Sequence, residues 1–205
     1  MAKELGIWEV AVLSLLREAP MHPYQMQRLL RDRHKDEILV LKRGSLYHAI
    51  GRLARDELIT ASATEREGKR PERTTYRITP AGRKEFTRVL RQMVAVPRRE
   101  SSELMAAMSF LVHLAPSEAL TRLDERCRAL EEEISQFSTG LAAAAPHVLH
   151  INLVESEYLV AMLTAELGWI KSLAADIRSR KLDWDTQAIY KDVRAARRAA
   201  GLRKE

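Results

Sequence analysis

Gly44-Ser45-Leu46-Tyr47-His48-Ala49-Ile50-Gly51-Arg52-Leu53, followed by Leu58-Ile59-Thr60-Ala61-Ser62-Ala63-Thr64, is the stretch that decides the fold. In the first block Leu46, Ile50 and Leu53 recur at steps of four and three, the spacing of one helix face. This helix is expected to start sharply at Arg43-Gly44-Ser45, where Ser45 can cap a backbone donor, and to end near Asp56. In the second block the period drops to two, as a strand requires. Thr74-Thr75-Tyr76-Arg77-Ile78 has the same character and is the natural partner strand. Between them lies the polar segment Glu65–Arg73, with Gly68 and Pro71 at the turn and Lys69 and Arg70 at its tip.

Upstream, a helix is predicted from Lys3 to Glu18, with Ile7, Val10, Ala11, Val12, Leu15 and Leu16 forming a wide apolar face. Pro20 closes it, because proline disfavours helix in the residue before it. Met21-His22-Pro23 opens a second helix, Tyr24 to about Arg33, with Met26, Leu29 and Leu30 at helical spacing. His34–Leu41 is the connection to the third. Downstream, Thr79-Pro80-Ala81-Gly82 restarts a helix with threonine at the cap and proline at the first position. Three helices, a hairpin with a basic tip and a further helix make the order of a winged helix-turn-helix domain, predicted over residues 1–96.

The second half carries no strand pattern. Past Pro97, a helix from about Glu100 to Leu114 puts Leu104, Ala107, Met108 and Leu111 on one face. Another begins at Pro116-Ser117, where Leu120, Leu123, Cys127, Leu130, Ile134, Phe137 and Leu141 alternate steps of three and four, the seam of a coiled coil or long bundle helix. Pro146 ends it. A last long helix, Val148 to about Ser179, spreads Leu159, Met162, Leu163, Trp169, Ile170, Leu173 and Ile177 over more than one narrow stripe. Two apolar faces need two partners, so residues 97–180 are expected to be a helical dimerisation domain. Residues 181–205 are expected to be a basic tail with helical character. The fold class is therefore mostly α: a winged helix-turn-helix N-terminal domain followed by an all-α dimerisation domain.

Composition bounds the function. With 46% hydrophobic and 30% charged residues, the 205-residue chain has the make-up of an ordinary globular protein. No apolar run approaches the ~18 residues of a membrane span, and the first residues hold acids rather than a secretory apolar core. A single cysteine, Cys127, cannot form an internal disulfide, so a reducing, cytoplasmic location is expected. Net charge is +6, unevenly placed. Residues 1–96 hold 19 basic and 12 acidic residues, whereas 97–205 hold 15 and 16. The excess positive charge thus falls on the winged half, the electrostatic footprint of a polyanion partner.

A recognition helix presents its N-terminal side chains to base edges in the major groove while flanking elements hold phosphates. The candidates here are Lys42, Arg43, Ser45, Tyr47 and His48, with Arg52 and Arg55 farther along. Arg43 suits bidentate recognition of guanine, and the amides beside Gly44 and Ser45 suit a phosphate at the helix dipole. Lys69 and Arg70 suit the backbone or a minor groove, and the Tyr24 hydroxyl suits a phosphate. Tyr47 follows Leu46 and is read equally well as a partly buried ring. Lys69 and Arg70 have the plainer alternative of solvated loop charges, and His48 that of a structural histidine.

Tyr24-Gln25-Met26, the block Gly44–Leu53 with Leu58-Ile59, and Arg70-Pro71-Glu72-Arg73-Thr74-Thr75-Tyr76-Arg77-Ile78-Thr79-Pro80-Ala81-Gly82-Arg83 together resemble the PadR family of transcriptional regulators. The resemblance is close over about residues 5–90. The second half, notably Ala165-Glu166-Leu167-Gly168-Trp169-Ile170, resembles the larger helical C-terminal domain of some members. Where the family usually has His-Gly-Tyr, this chain has His22-Pro23-Tyr24, and its wing is unusually rich in arginine. The resemblance implies a homodimer paired through its C-terminal helices, reading a palindromic operator. It also implies repression relieved by a small molecule, often aromatic, and DNA contact by Tyr24, Ser45, Tyr47, Lys69 and Arg70. Two recognition helices must then lie ~34 Å apart, or a multiple, to meet successive major grooves.

Enzyme classes find no support: there is no nucleophile motif, phosphate-binding loop or dinucleotide fingerprint. No cofactor is expected. His147 and His150 stand one turn apart beside Glu155, too few ligands for a metal. Cys127 on the seam reads as a small buried hydrophobe. Trp169 is an effector-stacking residue or, more simply, interface packing. The alternative function is a winged-helix module whose basic face meets an acidic protein; polar rather than apolar residues at the recognition-helix start speak against it. A sequence-neutral architectural DNA binder fits less well with two separate reading elements.

Overall fold

A computed structural model of the chain describes residues 5–35, 39, 45–65, 73–98 and 102–199. They fall into two compact units, Met1–Arg99 and Glu100–Glu205.

The first unit is built on α1 (Ile7–Glu18), α2 (Pro23–Asp32), α3 (Ser45–Arg55), the antiparallel strands β1 (Ile59–Glu65) and β2 (Arg73–Ile78), and α4 (Pro80–Ala95). This is the winged helix-turn-helix order expected from the change of period. The core is made by the apolar faces of the three helices: Val12, Leu13, Leu15 and Leu16 from α1, Met26 and Leu30 from α2, and Leu46, Ile50 and Leu53 from α3. Ile59 and Ile78, paired across the hairpin, and Phe86 of α4 close it from below. Leu53 is fully enclosed, so Leu53→Ala should cost about 2–5 kcal/mol.

Local chemistry fixes the element boundaries. At the start of α2 the His22 ring accepts from the Tyr24 amide at 3.1 Å while the Gln25 side chain accepts from the His22 amide at 2.9 Å. That reciprocal cap, with Pro23 in the first helical position, sets where Tyr24 emerges. After α3, Glu57 takes a left-handed conformation, φ 56°, and the Leu58 amide donates back to the Leu53 carbonyl at 2.9 Å. This closes the helix and launches β1. Thr79 caps α4 by accepting from the Gly82 amide at 3.0 Å, and its hydroxyl donates to the Glu57 or Leu58 carbonyl. Gly82 lies so close to Leu58 that an added Cβ would stand 2.1 Å from its carbonyl oxygen. Only glycine fits there.

The hairpin carries an irregularity between Ala61 and Ala63, so that Ser62 has no partner residue and its hydroxyl bonds the Thr75 carbonyl at 3.2 Å. Met21 adds a one-residue bridge on the other side of β2, exchanging both hydrogen bonds with Tyr76 at 3.0 Å. A single residue has no periodicity, and Met21 reads in the sequence only as the approach to α2.

The second unit contains α5 (Glu103–Ser109), α6 (Pro116–Ala144), α7 (Val154–Arg178) and α8 (Thr186–Ala199). Leu123 and Cys127 of α6 meet Ile170, Ala174 and Ile177 of α7, with Leu104 and Met108 packed beside them, and Leu130 of α6 is buried as well. The outer seam positions Ile134, Phe137 and Leu141 are half-buried. Two expected helices are shorter than their apolar patterns. Leu111–His113 and His150–Asn152 are 3-10 turns, and helical spacing of apolar residues does not distinguish such a turn from α-helix.

Within residues 181–205, expected to be a tail, α8 is anchored to its own unit. The Trp184 indole donates to the Leu114 carbonyl at 2.9 Å, and the Thr186 hydroxyl reaches the Val112 carbonyl at 3.1 Å. The His113 ring stacks on Tyr190, 5.5 Å between centroids, and hydrogen-bonds its hydroxyl. No helix of the described residues is long and apolar enough to cross a membrane.

Candidate nucleic-acid interface

The outward side of α3 is what remains once its apolar side is spent on the core. Leu46, Ala49, Ile50 and Leu53 are buried. Tyr47 is 59% exposed, His48 is exposed, and Gly51, Ala54 and Arg55 continue the same face toward the C-terminus. Ser45 is half-buried at the first position of the helix. The alternative of a partly buried Tyr47 ring is thereby set aside. Tyr24, 61% exposed at the start of α2, supplies a second outward phenol, and Arg28 and Arg31 extend that helix's exposed side. Lys42 and Arg43, before α3, and Lys69 and Arg70, between the strands, lie outside the described residues.

Gly51 is informative because nothing explains it internally. A glycine inside a helix costs about 1 kcal/mol relative to alanine. Yet a Cβ built at Gly51 has nothing within 4 Å, so no packing demand excludes a side chain. It stands one turn beyond Tyr47 on the outward face. A gap in side chains there lets another molecule approach the helix backbone closely.

Arg52, expected among the DNA contacts, has an internal partner. Its Nε and a terminal guanidinium nitrogen both hydrogen-bond Oε1 of Glu9, which sits on the core side of α1 with its side chain only 5% exposed. The Arg52 side chain is 42% exposed, so the guanidinium spans from the core boundary to solvent. Glu9 occupies a position one turn from Val12 and Leu13, where the apolar pattern of α1 calls for a hydrophobe. A charge on a core face needs a partner. That signal is in the sequence, but the partner lies 43 residues away and only the packing of α1 on α3 brings it near.

Other pairs brace the frame. Arg33 donates to both Glu18 oxygens, at 2.6 and 2.8 Å, and holds that carboxyl below the usual carboxylate range. Arg17 lies over the Phe86 ring at 5.4 Å, tying α1 to α4. Among the described residues, no group of three or more His, Cys, Asp and Glu gathers as metal ligands would. Cys127 is buried, and desolvation pushes its thiol up, away from the reactive thiolate.

Residues 12–88 match the family described as "Transcriptional regulator PadR-like family". No curated protein matches the chain. Solved structures similar to it include Bacillus subtilis PadR in complex with operator DNA, with TM-score 0.68, 18% identity, and coverage of 84% of this chain and 99% of that one. Bacillus subtilis PadR in complex with p-coumaric acid aligns over the same shares with TM-score 0.67 and 16% identity. The PadR-like regulator BC1756 from Bacillus cereus does so with TM-score 0.58 and 15% identity. At these identities the structures speak for the fold.

Proposed function

Because this chain belongs, through residues 12–88, to the PadR-like family of transcriptional regulators, we propose that it is a cytoplasmic homodimeric repressor of a palindromic operator. In this reading residues 1–96 hold DNA and residues 97–180 pair the subunits. The observation that carries it is the outward face of α3. Hydrogen-bonding side chains and an unfilled glycine stand opposite a completely buried apolar face. A protein-docking helix would instead keep apolar residues on its free side. Tyr24, Ser45, Tyr47 and His48 are the proposed contacts from the described residues. Lys42, Arg43, Lys69 and Arg70 are proposed from their sequence positions beside α3 and between the wing strands. Arg52 acts through its hold on α3.

The dimer reading rests on α7, whose second stripe is uncovered. Tyr158 is 68%, Met162 49% and Trp169 51% exposed. The bound p-coumaric acid of the Bacillus subtilis protein supports a small aromatic effector as the signal here too. An effector that binds one of two dimer states more tightly would shift the spacing of the recognition helices and so the affinity.

The test is selection of bound sequences from a random duplex pool with the full-length protein. A palindromic consensus with half-sites about one helical turn apart is expected. Recovery of no consensus would remove the operator reading. With that consensus in hand, Arg43→Ala should weaken specific binding by about 1–3 kcal/mol and random-DNA binding by less. Equal losses on both would make Arg43 a phosphate contact.

A further inference from the structure

Charge in the second unit is segregated along the chain. Residues 97–185 hold nine basic and fourteen acidic residues, and residues 186–205 hold six basic and two acidic. In the body of the unit five of these nine cations are paired with a neighbouring acid. Arg122 pairs with Glu125, Arg126 with Glu166, Lys171 with Glu131, Arg178 with Asp124, and Lys181 with Asp176. On α8 the pattern stops. Lys191 and Arg194 are exposed, and neither enters a salt bridge among the described residues. Arg197 and Arg198 follow in the same helix.

The helix is held in a way that keeps this charge available. Asp185 caps it, accepting from the Gln187 and Ala188 amides at 2.8 and 3.1 Å. Trp184, Thr186 and Tyr190 fasten its first turn to the Val112–Leu114 segment. From Lys191 through Ala196 every residue is exposed. Lys191, Arg194 and Arg198 are spaced three and four apart, so they share one face over a rise of ~10 Å. Opposite them stand Ile189, Val193 and several alanines, too little apolar bulk to seat the helix in a lipid surface.

We propose that the cationic face of α8 is a second nucleic-acid contact, binding the phosphate backbone of duplex DNA without regard to sequence. Duplex DNA carries a charge every ~1.7 Å of its axis, so a stripe of this length meets several phosphates. The proposal rests on the chain being a DNA binder and adds a contact outside the winged unit. Phosphates neutralise an exposed stripe of like positive charge and release their condensed counterions on binding.

The experiment compares the full-length protein with a K191Q/R194Q/R197Q/R198Q variant on a 40-bp random-sequence duplex, by fluorescence anisotropy across a salt series. Glutamine keeps helix propensity, and circular dichroism checks that the fold is retained. Losing up to four phosphate contacts should make the negative slope of log affinity against log salt shallower by up to about 3.6. A second variant, R194K/R197K/R198K with Lys191 kept, should retain the wild-type slope. Equal slopes for wild type and the glutamine variant, with wild-type DNA binding intact, overturn the proposal and leave the operator reading standing. Wild-type protein that binds no duplex sinks both. Equal slopes accompanied by weaker self-association would assign the stripe to a second copy of the chain. Equal slopes with lost binding to phosphatidylglycerol vesicles would assign it to a membrane. Either result overturns the DNA contact.

Discussion

At the scale of single residues, the Glu9–Arg52 pair is the most consequential contact in the winged unit. Glu9 is nearly enclosed, so removing its partner leaves a buried charge unmatched. Arg52→Met should destabilise the unit by about 3 kcal/mol, the low end for buried pairs because the arginine is two-fifths in solvent. The double change Glu9→Leu/Arg52→Met should recover most of that loss, since neither charge then remains. Denaturant midpoints for wild type, Glu9→Leu, Arg52→Met and the double variant would settle it; a double variant as unstable as Arg52→Met alone would show that packing, rather than charge, dominates the site. Gly51 makes the opposite kind of prediction. Gly51→Ala should raise stability by about 0.5–1 kcal/mol, because the helix gains propensity and the new methyl meets nothing. If DNA comes close to α3 there, the same variant should bind operator more weakly. Stabilisation with unchanged affinity would place Gly51 outside the contact.

Among the elements, helix junctions carry the fold. Gly82→Ala drives a methyl into the Leu58 carbonyl and should cost at least about 2 kcal/mol, read as a lowered unfolding midpoint. The Glu18–Arg33 bond, joining the end of α1 to the end of α2, gives a pH dependence. Glu18 titrates below its ordinary range because Arg33 hydrogen-bonds its ionised form. A depressed carboxyl stabilises the fold above its unfolded pKa of ~4.3 and loses that effect as pH falls through the folded value. Both side chains are about two-fifths exposed, so the contribution is modest, up to about 1 kcal/mol after screening. Glu18→Gln should therefore lower stability at neutral pH and converge with wild type in acid. A gap that persists at pH 3 would mean the loss is not one of charge. These junctions also mark where the sequence stops being legible. Leu46, Ile50 and Leu53 declare the buried side of α3 by spacing alone, and the drop to period two at Leu58 declares the wing. Arg52 gives no such notice: one residue beyond Gly51, its spacing suits an outward cation equally well, and Glu9 is remote in the chain. The anchoring of α8 is hidden for the same reason, since its partners at Val112–Leu114 lie some 70 residues earlier.

For the whole molecule, the uncovered stripe of α7 sets the expectation. Tyr158, Met162 and Trp169 are exposed in the single chain, while Ile170 and Ile177 satisfy α6. The protein should be a dimer by light scattering at micromolar concentration, and Met162→Glu/Trp169→Glu should shift it to monomer with little loss of helix content. A variant that stays dimeric would move the interface elsewhere.

The bridge between Met21 and Tyr76 gives the wing a fulcrum. Below it β2 is clamped on both edges, to β1 and to the approach of α2; past Ser62 the hairpin has only its own ladder. Swaying of the hairpin should thus pivot near the irregularity rather than at the root. In amide exchange, the Tyr76 proton, bonded to the Met21 carbonyl, should open only with the unit as a whole, and those of Thr74 and Thr75 by local fraying. A rod gripped at its butt transmits force into the grip, so a push on the wing arrives at the cap of α2 and at Tyr24.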